Sequence, residues 1–260
     1  MIPIKSHAFA ELPQEFYTLQ NWQGFENPFP VIENEQLKRE LNLKKMDGKE
    51  LLDIFNGSLK IEALKPLSMV YSGHQFGQYV EQLGDGRGLL LGQISSNSGL
   101  IDIHLKGAGK TPYSRFGDGR AVLRSVIREY LCGEAMHALS IPTSRALMII
   151  GSDEMVIREK TESAAMLART AKTHIRFGSF EYFHYNNQPE NVKALADFCI
   201  DQYPTYFSST PTAYDDFFRV IVARTATMIA QWQACGFNHG VMNTDNMSIL
   251  GETFDYGPYG

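Results

Sequence analysis

His239-Gly240-Val241-Met242-Asn243-Thr244-Asp245-Asn246 lies near the end of this 260-residue chain, and Asp255, within Phe254-Asp255-Tyr256-Gly257, follows nine positions after Asn246. Carboxylate and amide oxygens are the ligands that Mg²⁺ accepts. The ion commonly takes only one or two protein groups and completes its octahedron with phosphates and water. The Asn246/Asp255 pair therefore points to a metal-bound nucleotide and to phosphate chemistry. An Asx-rich turn before a strand over Met247 to Leu250 would account for Asn243, but it accounts less well for Asp245, Asn246 and Asp255 together.

Laid against the protein-kinase catalytic loop H-R-D-x-x-x-x-N, the stretch aligns His239 with the histidine and Asn246 with the metal-binding asparagine. The position of the catalytic aspartate then holds Val241, which cannot accept a proton or orient a hydroxyl. Either the site only binds nucleotide, or Asp245 takes a substituted role in a different register. Upstream, Lys106 ends a strand candidate and Glu129 falls in an amphipathic helix candidate twenty-three positions later. A strand lysine paired with a helix glutamate positions nucleotide phosphates in kinases, while two unrelated solvated charges are the plain alternative. Gly84-Asp85-Gly86-Arg87-Gly88 is a weak phosphate-loop signal, since an apolar run follows at once and fits a hairpin turn better than a dinucleotide fold. Gly109-Lys110-Thr111 imitates the end of a Walker A motif, but His104 stands where its first glycine would be, so a P-loop is rejected. Arg169 and Arg176, seven apart, share one face if their segment is helical, and could clamp phosphates through their planar donor forks.

Working outward, Leu89 to Ile94 and Leu100 to Lys106 read as strands flanking a turn at Ser95 to Gly99. Ala121 to Met136 has a helical period with Val122, Val126 and Tyr130 on one stripe and Leu123 and Ile127 beside it. Arg145 to Ile150 reads as a strand, and helices are expected over Leu37 to Phe55, Val192 to Gln202 and Tyr214 to Cys235. Strands come early and helices late. With 43% hydrophobic residues the chain can bury a real core, and its formal net charge of -5 gives no general attraction to nucleic acid or anionic membrane. Cys132, Cys199 and Cys235 are too scattered for a CxxC site and too few for a disulfide framework, which fits a reducing compartment. Without a secretory start or a long apolar span, a soluble, cytoplasmic protein is expected.

The runs SGHQFGQYVEQLGDGRG, HLKGAGKTPYSRFGDGRAVLRSVIREYLCGEAM, HIRFG and HGVMNTDNMSILGETFDYGPYG together resemble the selenoprotein O family, the YdiU-like protein adenylyltransferases, over most of residues 65 to 260. The resemblance implies an α+β, protein-kinase-like fold. Residues 1–65 would form an extension packed on the core, 66–155 a β-rich N-lobe with its helix, and 156–260 a truncated helical C-lobe. It implies a pseudokinase that binds ATP inverted and moves AMP to Ser, Thr or Tyr hydroxyls of proteins, with Mg²⁺, or Mn²⁺ in its place. Nucleic acid and membrane are not expected as partners. Motif by motif it assigns nucleotide contacts to Gly84, Gly86, Arg87, Lys106, Asp118, Gly119, Arg169, Arg176 and Asp255, with Glu129 as the partner of Lys106. Asp245 matches the proton acceptor, and Asn246 and Asp255 match the metal ligands. The family's chains continue well past the equivalent of Gly260, so a fragment is expected, with an apolar face exposed on the Tyr214 to Cys235 helix and weak activity. The alternative function is nucleotide binding without transfer, and phosphotransfer ranks below both.

Overall fold

In the computed structural model, which describes residues 2–61, 64–97, 99–207 and 210–260, the strands are β1 (Ile4–Ser6), β2 (Tyr17–Leu19), β3 (Pro28–Glu33), β4 (Leu67–Met69), β5 (Gly73–Gln75), β6 (Gln78–Val80), β7 (Gly88–Ser96), β8 (Gly99–Lys106), β9 (Ala121–Val122), β10 (Arg145–Ile157) and β11 (Thr161–Ala171). The helices are α1 (Glu35–Glu40), α2 (Gly48–Phe55), α3 (Leu123–Ala138), α4 (Phe177–Tyr185), α5 (Pro189–Gln202) and α6 (Ala213–Cys235). This is the mixed α+β organisation of a kinase-like fold. A large antiparallel sheet has the path β2-β4-β7-β8-β11-β10-β3, with β1 on β7 and β9 on β11, and β5 and β6 form a separate hairpin.

The period-2 alternation of β8 decides where the site lies. Ile101, Ile103 and Leu105 enter a core that also takes Leu51, Ile54 and Phe55 of α2. Asp102, His104 and Lys106, all buried, therefore point to the other face. β11 pairs with β8 so that Arg169 lies opposite His104 and Leu167 opposite Lys106, which sets Arg169 on that same polar face. Helix α3 packs on β10 and β11, and its buried positions Val126, Glu129, Cys132, Gly133 and Met136 bring one carboxylate in among apolar neighbours. The bend after α3 is closed by Ser144 N donating to the Thr253 carbonyl, which ties the sheet to the segment before Asp255.

Several boundaries differ from the sequence reading. The single helix expected over Leu37 to Phe55 is two, because Asn42 adopts a left-handed φ of 59° and Asp47 starts α2 by accepting the Glu50 N–H at 2.7 Å. The strand expected over Arg145 to Ile150 runs on to Ile157 and turns into β11. Met247 to Leu250 forms no regular strand; Ser248 makes an isolated bridge to Arg176, and Ile249 N donates to the Ile175 carbonyl at 3.0 Å. The turn expected at Ser95 to Gly99 includes Ser98, outside the described residues. On α6, Phe217, Ile221, Met228 and Trp232 are buried, while Tyr214, Phe218 and Val222 form an exposed stripe one turn apart. Among the described residues no helix is long and apolar enough to cross a membrane.

Candidate active site

Lys106, at the end of β8, donates from Nζ to Glu129 Oε2 at 2.5 Å and to Asp255 Oδ1 at 3.1 Å. Arg169 Nη1 donates to Glu129 Oε1 at 2.8 Å and to Asp255 Oδ1 at 2.6 Å. Arg176 Nη1 donates to Asp255 Oδ2 and, at 2.6 Å, to the backbone carbonyl of Asp245. Three cations thus meet two carboxylates with little water, since Lys106, Glu129, Arg169 and Arg176 are all buried and the Asp255 side chain is 14% exposed. Burial alone would raise Asp255, but Arg169, Arg176 and Lys106 hold its carboxyl well below the usual carboxylate range. Burial likewise opposes ionisation of Glu129, and Lys106 and Arg169 reverse it. The guanidinium of Arg176 lies between the rings of Tyr71 and Phe254, 4.6 and 4.7 Å from their centroids. Asp255 itself has φ of 56°, a left-handed conformation that an aspartate tolerates better than most residues but at some cost.

The two arginines do not share a helix face. Arg169 is in β11, and Arg176 is the residue that precedes α4, a helix absent from the sequence reading. The β period and the turn at 172–176 replace the helical spacing, yet both guanidinium groups still converge on Asp255.

A second arrangement surrounds Asp245, in the short 3-10 turn Thr244–Asn246. Its carboxylate is buried, takes one hydrogen bond from Gln75 Nε2 at 2.9 Å on Oδ2, and has no partner on Oδ1. Burial pushes its pKa up, and neither the Gln75 bond nor the charge of Arg176 offsets that. Asn246 Nδ2 donates to the Val241 carbonyl at 3.1 Å, which turns the amide so that its Oδ1 is left as an acceptor. His239 Nε2 donates to the Phe254 carbonyl at 2.9 Å and its ring stacks on Trp232, fastening this loop to the Asp255 segment.

In the glycine loop, Gly84 has φ of 63°, and a Cβ there would run into the Tyr113 ring, just as one at Gly86 would meet the Tyr113 carbonyl. Packing against 111–114 thus already requires these glycines. Between them, Asp85 is buried: its Oδ2 accepts the Met69 N–H at 3.1 Å and its Oδ1 the Tyr71 hydroxyl at 3.3 Å. His104 Nδ1 accepts from Arg169 Nε at 3.4 Å, leaving Nε2–H facing Asp85 Oδ2 at 3.5 Å. Asp118 is engaged through both oxygens with Arg158, at 2.7 and 2.9 Å. Gly84, Gly86, Arg87, Lys106, Asp118, Gly119, Arg169, Arg176, Asp245, Asn246 and Asp255 all line one cleft of about 780 Å³, and Glu129 stands behind Lys106 and Arg169. Sequence reasoning missed Asp85, His104 and Gln75. The alternation of β8 marks His104 as a polar-face residue, whereas Gln75 carries no local signal.

Among the described residues no group of three or more His, Cys, Asp or Glu side chains is placed to hold a metal. Asn246 Oδ1 and the Asp255 carboxylate both line the cleft, and oxygen donors of this kind would suit a divalent cation whose shell phosphate and water complete.

The family model described as "Protein adenylyltransferase SelO" matches residues 5–260. The chain is 55% identical over 256 residues to "Protein nucleotidyltransferase YdiU" of Vibrio parahaemolyticus serotype O3:K6 (strain RIMD 2210633), covering 98% of this chain and 52% of that protein. It is 53% identical over 255 residues to the protein of the same name from Vibrio cholerae serotype O1 (strain ATCC 39315 / El Tor Inaba N16961), with the same coverage of 98% and 52%. For the one from Stutzerimonas stutzeri (strain A1501) the identity is 52% over 254 residues, covering 96% of this chain and 52% of the relative. The chain spans about half the length of the curated relatives it matches.

Proposed function

Because the chain belongs to the SelO family of protein adenylyltransferases, we propose that it carries the nucleotide site of an enzyme that transfers AMP from ATP to Ser, Thr or Tyr hydroxyls of proteins and releases pyrophosphate. The observation that carries this reading is the pairing, in one cleft, of a cation-saturated carboxylate, Asp255, with a carboxylate that has no cation on it, Asp245. Pairs of acids whose surroundings push their protonation apart mark division of labour in active sites. Val241 stands where a kinase would place its base, so transfer of the γ-phosphate is not supported. An inverted nucleotide, with its α-phosphate near Asp245, fits the displaced carboxylate.

In this mechanism the acceptor hydroxyl oxygen attacks the α-phosphorus in line. The bond from that phosphorus to the bridging oxygen of the β-phosphate breaks, and pyrophosphate departs. Asp245 takes the hydroxyl proton. Lys106, Arg169 and Arg176 exchange part of their hold on Asp255 for the phosphate oxygens, so charge that develops in the transition state meets donors already oriented. Glu129 keeps Lys106 and Arg169 in place during that exchange. A divalent cation held by Asn246 and Asp255 would supply further neutralisation of phosphate charge. Residues Gly84, Gly86, Arg87, Asp118 and Gly119 line the same cleft as contacts for the rest of the nucleotide, with Asp118 and its Arg158 partner at the rim.

The test is transfer from ATP labelled separately at the α- and γ-phosphates, in the presence of Mg²⁺ and an acceptor protein. Metal-dependent α-label on protein supports adenylyltransfer. Label from the γ-position would overturn it in favour of a kinase, and ATP binding without transfer would favour a nucleotide-binding pseudokinase.

A further inference from the structure

Resting on the adenylyltransfer reading, we propose that Gln75 is a positioning residue for Asp245: its side-chain amide fixes the orientation of the carboxylate that accepts the hydroxyl proton. Gln75 is not near Asp245 in sequence, and it reaches the site through the β5–β6 hairpin. Phe76 and Gly77 connect the two strands with φ of 52° and 79°, both left-handed, which is a tight two-residue turn of type I′ geometry. A bulky, 87% exposed phenylalanine is an unusual occupant of such a turn. The turn fixes the register in which Gln75 faces Gln78, and so fixes where the Gln75 side chain emerges.

The hairpin is then clamped to the turn that carries Asp245. His74 N donates to Thr244 Oγ1 at 2.8 Å, and Thr244 Oγ1 donates to Glu181 Oε2 at 2.6 Å. His74 Nδ1 lies 3.0 Å from Glu181 Oε1, closing the ring of contacts. The residues immediately before Gln75 and before Asp245 are thus tied to each other and to α4. On one side of the carboxylate the backbone of Gly73 packs so closely that a Cβ there would overlap Asp245 Oδ1. On the other, Gln75 Nε2 donates to Oδ2 at 2.9 Å, and among the described residues it is the one side-chain donor to this carboxylate.

A carboxylate oxygen has room for two hydrogen bonds, so Oδ2 can hold the Gln75 amide and still receive a proton. The χ2 torsion of aspartate is broad, so without the amide no side-chain hydrogen bond sets the rotation of the carboxylate. Gln75 and Asp245 both line that cleft, where an acceptor hydroxyl would approach.

Gln75→Met keeps the length and apolar stem of the side chain and removes the amide, whose NH₂ is the donor to Asp245. It is expected to lower kcat for AMP transfer about tenfold, the size of one hydrogen bond to a charged group, while KM for ATP, MgATP affinity and the thermal unfolding midpoint stay at parental values. A merely structural role would move the midpoint and KM along with kcat. Crystal structures of the parent and of Gln75→Met give a readout independent of turnover: the Asp245 carboxylate is expected in one orientation in the parent and rotated or split in the variant. An unrotated carboxylate in Gln75→Met, or an unchanged kcat, overturns the proposal. Asp245→Asn separates the two levels. If it is inactive while Gln75→Met turns over like the parent, this inference alone fails; if Asp245→Asn itself transfers AMP normally, the proton-acceptor reading fails with it.

Discussion

Asp255 and Asp245 stand ten residues apart in the chain and line the same cleft, yet they have opposite surroundings. Asp255 is held by Lys106, Arg169 and Arg176 and stays ionised far below the ordinary carboxylate range. Asp245 has one neutral donor, an unpartnered oxygen and a pKa raised by burial. The contrast teaches that burial alone does not decide what a carboxylate does; its counter-charges do. In the proposed mechanism the carboxylate surrounded by cations holds charge in place for a polyphosphate, and the one without them takes the proton.

The largest effect should come from exchanging each carboxylate for its amide. Asp245→Asn is expected to cost on the order of 10²- to 10⁴-fold in AMP transfer while leaving the protein as stable as the parent or more so, because an ill-compensated buried charge is removed. Asp255→Asn should do the reverse to stability: three buried cations lose their shared partner, a loss of about 3–5 kcal/mol, measurable by denaturant unfolding. Equal destabilisation by the two variants would break the comparison.

A third buried carboxylate sharpens it. Asp102, on the same face of β8 as Lys106, accepts from Gln93 Nε2 at 3.0 Å and from His174 N at 3.0 Å; burial keeps the adjacent His174 ring neutral and raises Asp102 to about 7. Glu252 behaves alike, pushed up to about 7 by burial. Between the unfolded value of 3.8 for Asp102 and about 7, the folded protein binds the proton that the unfolded chain has released. These groups therefore make stability fall as pH rises through that window and level off above it. Asp102→Asn is expected to flatten the slope of unfolding midpoint against pH; an unchanged slope would show that Asp102 ionises normally.

The smallest effect belongs to the rim. Arg158→Gln removes the partner of Asp118, but Arg158 and Asp118 are 30% and 38% exposed at the side chain. The change should cost less than about 1 kcal/mol of stability, and a larger loss would mean that the rim is as tightly built as the Asp255 cluster.

Much of this contrast was legible in the sequence, and the reasons differ by residue. The kinase-like fold was implied by the family resemblance, and the Lys106–Glu129 pair and the singling out of Asp255 came from motifs whose chemistry is local: a strand end, a helix stripe and a short Asx-rich loop. Arg169 and Arg176 were read as sharing a helix face, since a seven-residue spacing reads as helix when the strand period and the turn before α4 go unnoticed. The split of the helix expected over Leu37 to Phe55 rests on the left-handed Asn42 and the Asp47 cap that starts α2, neither of which periodicity reveals. Gln75 escaped because its partner Asp245 lies 170 residues on, and Asp85 because the glycines on either side drew attention to the loop rather than to the buried carboxylate between them. Long-range polar contacts leave no periodic trace.

The most direct test of the account measures MgATP binding by calorimetry and α-label transfer side by side for Asp245→Asn and Asp255→Asn. The account predicts that Asp245→Asn binds MgATP like the parent and transfers α-label on the order of 10²- to 10⁴-fold more slowly, whereas Asp255→Asn loses both. Transfer by Asp245→Asn at the parental rate, or equal loss of binding in the two variants, would contradict it.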